Sequence, residues 1–223
     1  MTTTGEPGEG VRRTARDRGL VPALTALHAE LAPGMLPLGP AGHVLLPEAV
    51  AADARGVRRG TRTAPRDRAA ESAPRTVRLH GDVLVALRHP LPPGPENTGD
   101  TWGLGLARLR LGLSEALLDT CLEYLSARTS GGSPLLMRQL VQDSLSEALT
   151  DHLEMDGLLG PGARLTAGEL CTLHRAVTRT DRVLLRLLGG HGFRADGPGQ
   201  ISHVSELLAD VYAAAPAATE ESP

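Results

Sequence analysis

Arg128 and Gln139 stand on either side of a short turn rich in glycine, serine and proline. Arg128 ends one apolar-periodic segment and Gln139 lies early in the next. A guanidinium placed there can pair with a phosphate oxygen, and a carboxamide can donate to and accept from an amide-like edge. Further along, Gly189, Gly190 and Gly192 fall within one short run from Leu188 to Phe193. Lacking side chains, they let a backbone come close to a bulky ligand, and their N–H groups suit a pyrophosphate. The same residue types have a plainer use, as a cation at a helix C-terminus and glycines at C-caps. Other chemistry is thinly represented. The eight histidines show no metal-ligand spacing with Cys, Asp or Glu, so no metal site is expected. His152 and His174 read as solvated or hydrogen-bonded residues on helix faces. A Gly-x-Ser-x-Gly elbow, a P-loop and a cysteine pair are all missing.

The elements that must position these residues are mostly helical. Gly103 to Arg128 carries two leucine stripes, Leu106, Leu109, Leu113 and Leu117 on one side and Leu104, Leu111, Leu118 and Leu125 on another. A helix apolar on more than one face is buried on more than one face. The second stripe is therefore expected at a subunit interface, in a homodimer or heteromer. Ser133-Pro134 reads as N-cap and first helical residue of a second helix, with Leu140, Val141, Leu145, Ala148, Leu149 and Leu153 as core and Gly160-Pro161-Gly162 as its stop. Thr166 and Glu169 fit a capping box for a third, with the stripe Leu170, Leu173, Val177, Leu184 and Leu188. Ser202 can cap a last helix to about residue 214. Helices over 103–128, 134–158, 167–188 and 202–214, joined by short connections, predict an antiparallel bundle.

Before the bundle the signals are weaker. Residues 1–18 are polar and read as a disordered tail, as do residues 216–223. Leu20 to Leu31 spaces Leu20, Leu24, Leu27 and Leu31 as a short amphipathic helix. Residues 51–75 carry Arg55, Arg58, Arg59, Arg62, Arg66, Arg68 and Arg75, either a solvated loop or a patch for a phosphate or a carrier protein. Thr76 to Leu87 alternates on either side of Gly81-Asp82 as a β-hairpin. The regions are thus a tail (1–18), a small mixed region (19–100), a helical bundle (101–215) and a second tail (216–223).

Composition narrows the classes. Aromatics make up 2% of the 223 residues against 41% hydrophobic, so Leu, Ala and Val must supply the burial. All 23 basic residues are arginine, and the net charge of -3 gives no reason to expect nucleic acid or a membrane surface as partner. No run reaches the length of a membrane span, and Cys121 and Cys171 read as buried free thiols of a reducing compartment, hence a cytoplasmic setting.

The run Tyr124-Leu-Ser-Ala-Arg128-Thr-Ser-Gly-Gly132-Ser-Pro134-Leu135-Leu-Met-Arg-Gln139 resembles the acyl-CoA dehydrogenase pattern Y-x-x-x-R-x-x-F-G-x-P-L-x-x-x-Q. Leu188-Gly189-Gly190-His191-Gly192-Phe193 resembles that family's L-G-G-x-G-F turn, and Asp196 and Pro198 follow in the familiar order. Tyr212 is similar to the Tyr that precedes the family's catalytic Glu. Residues 101–215 thus resemble the family's C-terminal four-helix domain, and residues 76–95 the end of its β-domain.

The resemblance implies a mainly α fold, an antiparallel four-helix bundle of that C-terminal type with a short β-hairpin before it. It implies that Arg128, Gln139, Gly189, Gly190 and Gly192 face the FAD of a partner dehydrogenase-like subunit, which oxidises an acyl thioester on CoA or an acyl-carrier protein, in secondary metabolism. The departures are as informative. The family's Phe is Gly131, its Glu is Ala213, and the alternative base position at the start of the long helix falls on Trp102, followed by Gly103 in place of Arg. Asp100 is the nearby carboxylate and the one catalytic candidate. A chain this short has no room for the family's N-terminal helical domain or most of its flavin-binding β-domain. A non-catalytic dimerisation or scaffold module is the other reading.

Overall fold

In a computed structural model of the chain, residues 9–90, 101–195 and 197–213 are described. Everything is arranged around one long helix, α4 (Thr101–Ala127). Before it come α1 (Glu9–Arg18), α2 (Leu20–Leu31), β1 (Met35–Pro37), β2 (His43–Pro47), α3 (Glu48–Asp53), β3 (Gly56–Arg59), β4 (Arg62–Pro65), β5 (Arg75–Leu79) and β6 (Asp82–Arg88). After it come the two-residue strands β7 (Thr129–Ser130) and β8 (Ser133–Pro134), then α5 (Gln139–Leu158), α6 (Ala167–Leu188) and α7 (Pro198–Tyr212). The bundle of α4 to α7 and the hairpin β5–β6 follow the sequence reading. Among the described residues no helix is long and apolar enough to cross a membrane.

Residues 9–18, expected within a disordered tail, form α1. Val11 and Ala15 pack inward at helical spacing. The charged side chains between them meet partners far along the chain: Arg12 pairs with Glu115 at 2.5 Å and with Asp156, and Arg16 with Asp119 at 2.8 Å. A polar segment without apolar surplus thus gains its order from tertiary ion pairs and from close approach. Gly112 of α4 lies under the α1 backbone, and a Cβ there would overlap the Arg12 carbonyl.

Gly112→Val is therefore expected to lift α1 off α4 and lower stability by about 1–3 kcal/mol, the usual range for overpacking. A urea midpoint equal to the parent's, with α1 equally resistant to trypsin, would show that the close packing is dispensable.

The β-region is larger than the expected hairpin. β5 and β6 turn at His80-Gly81, both with positive φ (51° and 89°), and β2 completes an antiparallel sheet in the order β2-β6-β5. A second sheet, β1-β3-β4, pairs β1 parallel to β3 and β3 antiparallel to β4. The arginine-rich stretch is neither a solvated loop nor an open patch in its central part, because its side chains hold the backbone. Arg66 pairs with Glu71 and donates to the Ala51 and Ala54 carbonyls at the end of α3. Arg58 donates to the Gly60 and Leu31 carbonyls, and Arg68 to Ala52.

Both leucine stripes of α4 are covered within the chain. Leu106, Leu109 and Leu113 pack against α1, α2, α7 and the β2-β6-β5 sheet. Leu117, Leu118, Cys121 and Leu125 pack against α5 and α6, as Ala107 and Leu111 do further along. The interface expected from the second stripe is filled by the chain's own helices, which removes that ground for a dimer.

Two helix starts differ from expectation. Ser133-Pro134 does not cap a helix. It is β8, paired with β7 across Gly131-Gly132 (φ 62° and 81°), and α5 starts at Gln139. Two consecutive positive φ values make a hairpin turn that glycines adopt without strain, and this outcompetes the capping pattern. The last helix starts at Pro198, capped by Gly197, rather than after Ser202. Along α5, Leu145 and Ala148 are buried as expected, whereas Leu140, Leu149 and Leu153 are exposed. His152 and Met155 take the inner face instead.

Candidate functional site

The antiparallel course of the bundle brings the C-terminal end of α4, the start of α5 and the end of α6 to one end. Tyr124, on the last turns of α4, organises that end. Its ring stacks on His191 with centroids 4.5 Å apart, and the Arg128 guanidinium lies over it at 4.7 Å from the centroid. Arg128 and the glycine turn are thus tied together through one aromatic ring, a stacked cation contact of the kind arginine favours. The β7–β8 hairpin is closed by Leu135 N donating to the Arg128 carbonyl at 2.7 Å, and by the Arg138 side chain donating to the Ser130 carbonyl. Gln139, first residue of α5, stands exposed just beyond.

The glycine turn is a short 3-10 segment, Gly189–His191. Gly189 has φ 53°, and neither it nor Gly190 has any atom within 4 Å of an added Cβ, so their outer face is open to an approaching group. Gly192 points the other way and packs on the Leu185 carbonyl and Leu188. The expectation of free N–H groups needs correction. Gly189 N donates to the Arg186 carbonyl and Gly192 N to the Gly189 carbonyl. The turn closes on itself and consumes those donors.

Three large apolar side chains stand in the solvent around this end: Leu140 is 82% exposed, Phe193 72% and Met137 59%. Such groups gathered beside an exposed cation and an open backbone make a surface suited to a second protein.

The catalytic candidate Asp100 lies outside the described residues, as does Asp196. Trp102 is buried, and its ring meets Tyr212 edge-on with centroids 5.5 Å apart. The Tyr212 hydroxyl accepts from Leu45 N at 3.1 Å and donates to the Leu45 carbonyl at 3.3 Å. Ala213 follows at the end of α7 and offers no titratable group.

A polar line inside the bundle went unread in the sequence. Arg110 is fully buried on α4 and donates to Ser205 of α7 and to the His174 ring, the His174 carbonyl and the Thr178 hydroxyl of α6. One turn on, the Ser114 hydroxyl bonds the His152 ring at 2.8 Å and also reaches the buried Asp181 carboxylate. Burial lowers the Arg110 guanidinium to about 10 and the His174 imidazole to about 3, the Arg110 charge adding to the latter. It raises the Asp181 carboxyl to about 6. Neutral His174 accepts a hydrogen bond from Arg110 at Nδ1 and so carries its own hydrogen on Nε2. Arg108 donates to the Leu159 carbonyl at the end of α5. His152 and His174 are accordingly hydrogen-bonded interior residues, not solvated ones. Cys121 is buried, its thiol donating to the Leu184 carbonyl at 3.4 Å and pushed up to about 12 by burial. Cys171 is only half-buried.

Neither a protein-family model nor a characterised protein sequence matches the chain. Solved structures do. A variant of the Tcur3481-Tcur3483 steroid ACAD aligns with TM-score 0.54 at 17% identity, covering 80% of this chain and 58% of that one. The acyl-CoA dehydrogenase from Geobacillus kaustophilus aligns with TM-score 0.52 at 14% identity, covering 80% and 60%. The electron transferring flavoprotein structure from Acidaminococcus fermentans aligns with TM-score 0.51 at 15% identity, covering 77% and 52%. The chain spans less than two thirds of the length of these structures, and at these identities the likeness is one of fold. Over 80% of its length, the chain carries the acyl-CoA dehydrogenase fold.

Proposed function

We propose that this chain is an acyl-CoA dehydrogenase-like subunit that completes the FAD site of a fuller partner subunit. That partner oxidises an acyl thioester, on CoA or on a carrier protein, in secondary metabolism. One observation carries this reading. The Tyr124 ring carries Arg128 over it and stacks on His191 of the turn whose Gly189 and Gly190 have an open outer face, and Met137, Leu140 and Phe193 are exposed on the adjoining segments.

The residues present fit a dinucleotide in part. Arg128 supplies a cation for a pyrophosphate, Gln139 a carboxamide for an amide-like edge, and the two glycines a face without side chains. The Gly189 and Gly192 N–H groups are already bonded, so Arg128 balances most of the anion's charge. Bound FAD would supply a hydride acceptor. This chain's part is to hold the cofactor's phosphate end and, with its apolar residues, to keep water from the contact. Among the described residues it supplies no evident base. Ala213 cannot take a proton, and Trp102 is packed against Tyr212. General acid–base groups typically contribute about 10²–10⁴-fold, so the isolated chain is expected to show no ordinary acyl-CoA dehydrogenation.

The test is co-expression with a dehydrogenase-like chain encoded beside it, followed by flavin absorbance of the purified pair. Flavin held by the pair and not by this chain alone is the expected result. Arg128→Ala is expected to weaken flavin retention about tenfold or more, the weight of a charged hydrogen bond. A complex that holds flavin equally well with Arg128→Ala would overturn the role of that residue. The Trp102–Tyr212 packing favours the second reading, a non-catalytic binding module. Absence of flavin from both preparations would decide for it.

A further inference from the structure

A second feature lies along α6 and uses none of the residues assigned to the flavin surface. Arg175, Arg179, Arg182 and Arg186 recur at spacings of four, three and four on one face of that helix. Together they line a groove of about 640 Å³ between α6 and α7. Arg182 pairs with Glu206 at 2.5 Å. The side chains of Arg175, Arg179 and Arg186 have no hydrogen-bond or ion-pair partner among the described residues. The groove also contains small residues, namely Cys171 and Thr178 from α6 and Ala209 and Ala213 from α7. Its α7 wall carries Glu206 and Asp210.

We infer that this groove docks an acidic helix of another protein, with carboxylates at the same four-three-four spacing and basic residues on the adjoining flank. Three considerations select that occupant. A second helix rises by the same ~1.5 Å per residue, so carboxylates at matching spacing meet Arg175, Arg179 and Arg186 in one register, with the fourth sharing Arg182 with Glu206. Small side chains in the groove let a helix backbone come close, and two antiparallel helices present a ready-made seat for a third. The opposed signs of the two walls then set the specificity. A uniformly anionic partner such as a nucleic acid would meet Glu206 and Asp210, whereas a helix with divided charge satisfies both walls. The lining contains no Phe, Tyr or Trp on which a base could stack, and its one imidazole, His174, is buried and engaged by Arg110, which further disfavours nucleotides.

The experiment uses the full chain and an alanine-based helical peptide of about 20 residues, long enough to hold helix. It carries Glu at the four matched positions and Arg on the next flank. Fluorescence anisotropy at low salt is expected to show binding at least about tenfold tighter than to a scrambled peptide of the same composition. The double reversal Arg179→Glu/Arg186→Glu is expected to remove that advantage, and a peptide with Arg replacing the two facing Glu residues to restore it. The matched-against-scrambled comparison needs no variant, so the inference stays testable if the reversal fails to fold. Arg175→Gln then serves as a milder substitution. Equal binding of matched and scrambled peptides would overturn the inference. So would insensitivity to the arginine changes, or binding of inorganic pyrophosphate in place of the peptide.

Discussion

Arg110→Met is expected to cost the fold about 3–5 kcal/mol, since it leaves several buried acceptors without their donor at about 1 kcal/mol or more each. Arg110 is fully buried and serves four acceptors on α6 and α7: Ser205, the His174 ring, the His174 carbonyl and Thr178. The Asp181 and Glu206 carboxylates favour its charge. Methionine fills a similar volume, so the loss measures polarity and not a cavity. It leaves Asp181 buried with its charge uncompensated, and the four acceptors without their donor. The urea midpoint is the readout, and a loss below about 1 kcal/mol would show that α6 and α7 dock without this network. The double change Arg110→Met/Asp181→Leu is expected to recover part of the loss, since exchanging both partners for apolar groups removes the stranded charge.

Acid is expected to unfold the chain through its buried imidazoles. Burial lowers His28, His152 and His174 from 6.5, His174 to about 3. A group whose folded value is depressed contributes stability that is present above its unfolded value and lost as pH falls towards its folded value. These histidines therefore weaken the fold progressively below 6.5. Asp181 has the opposite sign. Its folded value is raised from 3.8 to about 6, so its contribution is fully present below 3.8 and is lost as pH rises through about 6. Between 6 and 3.8 the carboxyl partly offsets the imidazoles, with Ser114, Arg110 and Glu206 as the groups that face it. Asp181→Asn removes the offset. Thermal unfolding from pH 7 down to about 4 should then fall more steeply in that variant than in the parent. Parallel curves, or a parent whose midpoint is flat across the window, would refute this account.

What could be read beforehand was local. The capping box of α6 is present as expected, with Glu169 N donating to Thr166 Oγ1 and Thr166 N to the Glu169 carboxylate. Its stripe from Leu170 to Leu188 is buried where the period put it. What stayed hidden depends on residues distant in sequence. α1 has too little apolar surface to announce itself, and its order rests on Arg12 and Arg16 meeting carboxylates of α4 and α5. Arg108 and Arg110 look like solvated charges in a leucine run until the end of α5 meets Arg108 and α6 and α7 close over Arg110. On α5 the sequence pattern marks Leu140, Leu149 and Leu153 as core, but the inner face falls to Leu145, Ala148, His152 and Met155, where Ser114 offers His152 a partner. At the candidate site, sequence placed Arg128 and the glycines in motifs. The Tyr124–His191 stack that joins them needed the fold, as did the bonds that occupy the Gly189 and Gly192 N–H groups.

The two thiols give this protein a built-in chemical clock. A thiolate attacks a disulfide reagent and a thiol does not, so Cys121, buried and pushed up to about 12, is silent while α4, α5 and α6 remain together. Half-buried Cys171, on the wall of the arginine groove, marks the start of the reaction. The slower appearance of a second modified thiol then times the opening of the bundle, and under fast reclosing its rate gives the opening free energy directly. No label, tryptophan or engineered cysteine has to be added.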